Sequence, residues 1–117
     1  MKRLKELDKE ESQLNLAKER LANEEKQVSR IKETYDQHFY EARYFFDRLC
    51  SQFHKNDHGT FYQSLLDEHS QKANQILRQL ETDEAEIHKQ KKKVFDQLED
   101  IHYEKRRLLA EEKSHEY

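Results

Sequence analysis

Every seventh residue from Leu7 to Leu49 is apolar or aromatic: Leu7, Leu14, Leu21, Val28, Tyr35, Ala42 and Leu49. A second run with the same period reads Leu66, Ala73, Leu80, Ile87, Val94, Ile101 and Leu108. Hydrophobic residues make up only 33% of the chain, so fourteen hits in fourteen positions are not chance. A seven-residue apolar period is the mark of helices that pair along a seam. Folding the second run back on the first pairs Leu49 with Leu66 and Leu7 with Leu108, and every pair is centred between Asp57 and His58. The only glycine of the chain, Gly59, lies beside that centre, and there is no proline to break either run.

The predicted fold is all-α: an antiparallel, coiled-coil-like two-helix hairpin forming a single domain. Helix one is expected over about 2–55, a turn over about 56–59 and helix two over about 60–115. Asn56 and Gly59 suit the left-handed conformation that ends a helix. Thr60 with Gln63 three residues later reads as a capping box opening the second helix. One continuous helix pairing with a second copy, without a hinge at Gly59, is the alternative.

The second seam position is less uniform. In helix one it runs Leu4, Glu11, Lys18, Glu25, Lys32, Phe39, Phe46 and Phe53; the facing positions are predicted to be Tyr62, His69, Ile76, Asp83, Gln90, Gln97 and Glu104. Layers near the turn are then aromatic, and those beyond Lys32 and Asp83 are polar. Lys32 opposite Asp83 would pair, whereas Glu11 opposite Glu104 would repel. Polar layers fix register at a cost in stability. A lone hairpin of this kind is expected to be marginal and to need a partner, completing a bundle with that partner's helices.

Composition excludes several roles. Charged residues reach 40%, yet 25 acids against 22 bases leave a net charge of only -3, so no strong field favours nucleic acid. No apolar run approaches a signal peptide or a membrane span, which predicts a cytoplasmic protein without membrane insertion. The basic stretches Lys89–Lys93 and Lys105–Arg107 are interleaved with acids and read as a solvated face.

Chemistry-bearing groups are sparse. His54-x3-His58 has the spacing of a helical metal pair with Asp57 between, but it straddles a predicted helix end and lacks a third ligand in sequence. Cys50 with His54 is better explained by structure than by an activated thiolate. Neither a phosphate loop nor a nucleophile elbow occurs. The expectation is a protein with no catalytic residue, metal or cofactor.

Nine of the twelve aromatic residues lie within residues 35–62. Tyr40, Tyr44, Phe45 and Phe61 fall off the main seam and Phe46 on the second one; together they are the candidate partner-binding residues. Changes at Lys18 or Glu25, in the polar arms, are expected to matter little to partner affinity.

An acidic-basic opening helix, the aromatic segment Tyr44-Phe45-Phe46-Asp47-Arg48-Leu49 and the ending IHYEKRRLLAEEK (101–113) together resemble a known family. It comprises the small helical proteins that accompany LXG toxins in the type VIIb secretion systems of Gram-positive bacteria, related in architecture to WXG proteins. The resemblance implies a non-enzymatic adaptor. Such a protein binds the helical N-terminal domain of an LXG toxin, together with a second small helical protein, and promotes the toxin's export. It leaves self-association and co-export without a signal peptide open. A Trp-x-Gly turn is missing, since the chain has no tryptophan. Phe53-x3-Asp57 and Phe95-x3-Glu99 match the aromatic-x3-acid pattern of related export factors and are candidate export motifs. The rival reading is a general structural coiled coil or a flagellar-type export chaperone.

Overall fold

In a computed structural model the chain forms an antiparallel two-helix hairpin. Helix α1 spans Leu4–Gln52 and α2 spans Asp57–Glu116, with no strand among the described residues. The structure describes residues 3–53 and 57–116, and only the backbone of Asp57, His115 and Glu116. No helix among these residues is long and apolar enough to cross a membrane.

The carbonyl of Arg3 accepts hydrogen bonds from the Glu6 and Leu7 N–H groups at 3.0 and 3.1 Å and closes the first turn of α1. Glu6 adds negative charge there, where the helix dipole favours it. Thr34 and Thr82, poor helix formers, donate their hydroxyls to the carbonyls of Arg30 and Arg78, each at 2.9 Å. The Phe53 N–H still reaches the Leu49 carbonyl at 3.0 Å, one residue past the end of α1.

The second helix begins three residues earlier than the sequence suggested. Gly59 and Thr60 lie inside α2, and no glycine among the described residues has a positive φ. The Thr60–Gln63 capping box is therefore not the start of the helix, and Gly59 is not its left-handed turn residue. Gly59 is buried, and it extends the line of Leu66 and Ala73 by one heptad toward the turn. The proposed turn residue Asn56 lies outside the described residues.

Two compact units make up the chain, each with segments of both helices: residues 1–25 with 85–117 (the terminal unit) and residues 26–84 (the turn unit). In the terminal unit Leu7, Leu21, Ile87, Val94, Leu98 and Ile101 are buried; Leu7 and Leu21 are essentially inaccessible. Leu21, Val94 and Leu98 form one cluster, against which Leu14 and Ala17 pack. In the turn unit the buried hydrophobics are Leu66 and Ala73. Thirteen of the fourteen seam positions are buried or half-buried; Tyr35 is the exposed one.

Candidate functional site

Around the turn, phenylalanines on the second seam position of α1 meet rings on α2. Phe53 lies 5.5 Å from Tyr62 between ring centroids, and Phe46 lies 5.7 Å from His69. Phe39 meets the same imidazole edge-on at 5.4 Å and stacks on Tyr35 at 5.6 Å. His69 is thus held between two phenyl rings, with its Nε2 buried and without a hydrogen-bond partner among the described residues. The first two contacts join residues the sequence placed opposite each other.

Five of the site residues expected from sequence divide by role. Phe46 is half-buried and committed to the layer with His69. Tyr40, Tyr44, Phe45 and Phe61 are 74, 59, 59 and 58% exposed. Two of these rings have neighbours, Phe45 on the edge of Phe46 at 5.8 Å and Phe61 on Tyr62 at 5.6 Å. The guanidinium of Arg48 sits 5.9 Å above the Tyr44 ring in a cation–π contact.

The candidate export motifs are placed differently from one another. The Phe53 ring packs against Tyr62, and the Asp57 side chain lies outside the described residues. Phe95 and Glu99 both stand exposed on α2, one turn apart. His54 of the histidine pair is outside the described residues. Among the residues described, no three His, Cys, Asp or Glu side chains gather as a metal site would require. Cys50 is a half-buried free thiol. It borders an open cleft of about 660 Å³ shared with Ser51, Gly59, Thr60, Gln63 and Ser64.

Away from the turn, the second seam position on α2 is not the one expected. Gln90, Gln97 and Glu104 are exposed, whereas Lys91, Leu98 and Lys105, one residue further along, face α1. The charges follow. Glu11 does not confront Glu104; the Lys105 ammonium reaches it at 2.9 Å and also contacts Asp8. Glu25 accepts from Lys91 at 3.2 Å, and Lys32 pairs at 3.1 Å with Glu84 rather than Asp83. His88 Nδ1 lies 3.7 Å from Glu25 and His102 Nε2 3.5 Å from Glu11, so each glutamate is flanked by a lysine and an imidazole.

Two lysines are held above the usual lysine value of 10.5. For Lys32 the main cause is the hydrogen bond to Glu84. For Lys105 it is the hydrogen bond to Asp8, followed by that to Glu11. The basic stretches are therefore partly consumed by the fold, since Lys91 and Lys105 face the partner helix and Arg107 pairs with Glu111.

Sequence reasoning missed this glutamate–lysine ladder, although its signal is present. The heptad line Glu11, Lys18, Glu25, Lys32 is complementary to Lys105, Leu98, Lys91, Glu84 at every charged level except Lys18.

A seam of aliphatic heptads, flanked by ion pairs and ending in exposed rings, defines a charged helical hairpin. The chain belongs to the family described as protein of unknown function (DUF3958), whose profile matches residues 2–108. No curated protein and no solved structure matches it.

Proposed function

We propose that this protein is a non-enzymatic adaptor that binds the helical N-terminal domain of an LXG-type toxin and promotes its export through a type VIIb secretion system. The observation that carries the reading is the exposure of Tyr40, Tyr44, Phe45 and Phe61 in the turn unit. The hairpin satisfies its own seam without them, and large exposed rings are costly to leave in water and frequent at interface centres. A partner's amphipathic helix laid on these rings would extend two helices toward a bundle. Support for this partner comes from the resemblance of residues 44–49 and 101–113 to LXG-accessory proteins, and a second small helical protein would supply further helices.

The test is co-purification and calorimetry of the full chain with the N-terminal domain of an LXG toxin. Tyr44→Ala and Phe45→Ala should weaken the complex by about 2 kcal/mol each, roughly thirtyfold. Circular dichroism of the isolated variants should match the unmodified protein, because neither ring supports the seam. Absence of a complex with the unmodified chain would defeat the proposal. Unchanged affinity in both variants would move the contact elsewhere.

A further inference from the structure

The ladder is interrupted at one level of the terminal unit, and the gap has the form of a socket. Glu11 with Lys105 and Glu25 with Lys91 are ion-paired, but the intervening level sets Lys18 against Leu98. An apolar recess of about 120 Å³ opens there, lined by Lys18, Lys91, Val94, Phe95 and Leu98. Its floor is the buried pair Val94 and Leu98, and Phe95, 58% exposed, forms one wall.

The two rim lysines differ. The Lys91 ammonium is fixed by both oxygens of Glu25, at 3.3 and 3.2 Å, leaving its aliphatic stem as a wall. Lys18 is exposed and meets no carboxylate among the described residues. A free cation thus stands at the mouth of an apolar slot, between levels where charge is already neutralised.

We propose that this recess docks a partner's amphipathic helix by one aliphatic side chain, with an acidic residue about one turn away completing the missing ion pair at Lys18. Size favours a side chain over a small molecule, whose clefts run about 300–1,000 Å³. An extended acyl chain would likewise overfill the slot. Charge favours an acidic helix, because it supplies opposite Lys18 the carboxylate that Leu98 does not. Leucine-sized groups suit a socket floored by Val94 and Leu98, and the exposed Phe95 edge would close over them. Lys18 therefore has a role in specificity that its place on a charged arm does not suggest. This inference rests on the adaptor reading only for which protein supplies the helix.

A synthetic amphipathic helix with a central leucine and a glutamate one turn away is the probe, beside the same peptide carrying lysine for that glutamate. Each is titrated into the isotope-labelled full chain and followed by NMR. Expected are saturable shifts centred on Val94, Phe95 and Leu98, with the glutamate peptide binding at least about tenfold more tightly than the lysine peptide. In Lys18→Glu the preference inverts, and Phe95→Ala, which leaves the seam intact, weakens both peptides. Indifference to the peptide's charge, no inversion, shifts centred elsewhere or no saturation would overturn the docking site. Saturation by decanoate with the same shifts would assign the recess to an acyl chain and overturn it too. The peptides contain no toxin sequence, so these results and those of the toxin-domain experiment stand or fall separately.

Discussion

The turn unit holds nine of the twelve aromatic residues and the terminal unit holds the compact core, the reverse of what residue size alone suggests. Phenylalanine and tyrosine carry the largest apolar surfaces, but two helices cannot cover them, so Phe39, Phe46 and Phe53 remain half-buried and Tyr40 and Phe45 stand in water. Leucine, valine and isoleucine are small enough for two helices to enclose. In the terminal unit the stems of Lys91 and Lys105 cover the seam from the side while their heads reach Glu25 and Glu11. Polar flanking positions close this core; they do not dilute it.

Substitutions can break this comparison directly. The largest effect is expected for Leu21→Ala, at a side chain 1% exposed, which should cost about 2–5 kcal/mol in urea unfolding. Phe46→Ala removes a bigger side chain from a half-covered site and should cost less, about 1–2 kcal/mol. A larger loss at Phe46 than at Leu21 would place the principal core in the turn unit.

Gly59 sharpens the boundary of that unit. It lies in a helix without a positive φ and borders an open cleft of about 660 Å³. Gly59→Ala should therefore stabilise the protein by about 0.5–1 kcal/mol through helix propensity. Destabilisation of similar size in a thermal melt would show that the buried Gly59 site does not admit a methyl group.

Alkaline pH isolates the ion pairs, where the smallest effect is expected. Lys32 and Lys105 have folded-state values raised above 10.5 by their carboxylate partners. Their stabilisation is fully present below 10.5 and is lost as pH rises through the raised values. Melting temperature should fall over that window in the unmodified protein and fall less in Lys105→Met. Equal slopes would show that the Lys105 pairs with Asp8 and Glu11 contribute nothing measurable, as exposed pairs often do.

The docking candidates were legible in unequal degree. Exposure of Tyr40, Tyr44, Phe45 and Phe61 followed from their positions off the heptad. The commitment of Phe46 to a layer with His69 followed from its place on the second seam line. The recess at Lys18 was not legible, because it depends on which residue of α2 stands opposite.

Helix and seam were determined by the sequence itself: fourteen seam residues at a period of seven, centred beside the only glycine, predict a hairpin with one continuous helix as the alternative, and the structure shows the hairpin. Tertiary structure decided the second contact line. A straight α-helix falls behind a seven-residue repeat by about 20° per heptad. Along α2 this brings the residue four places after each seam position onto the contact while the residue three places after it turns away. His69 therefore faces Phe46 in the turn unit, whereas Lys91 and Lys105 replace Gln90 and Glu104 in the terminal unit. On α1 the same drift, read toward its N-terminus, leaves Glu10, Ala17 and Glu24 half-buried while His38, Phe45 and Gln52 are exposed. A strict heptad reading assumes that the helices supercoil enough to cancel this rotation. Side-chain packing sets how much they do, and that one-residue difference turns a repulsion at Glu11 into an ion pair.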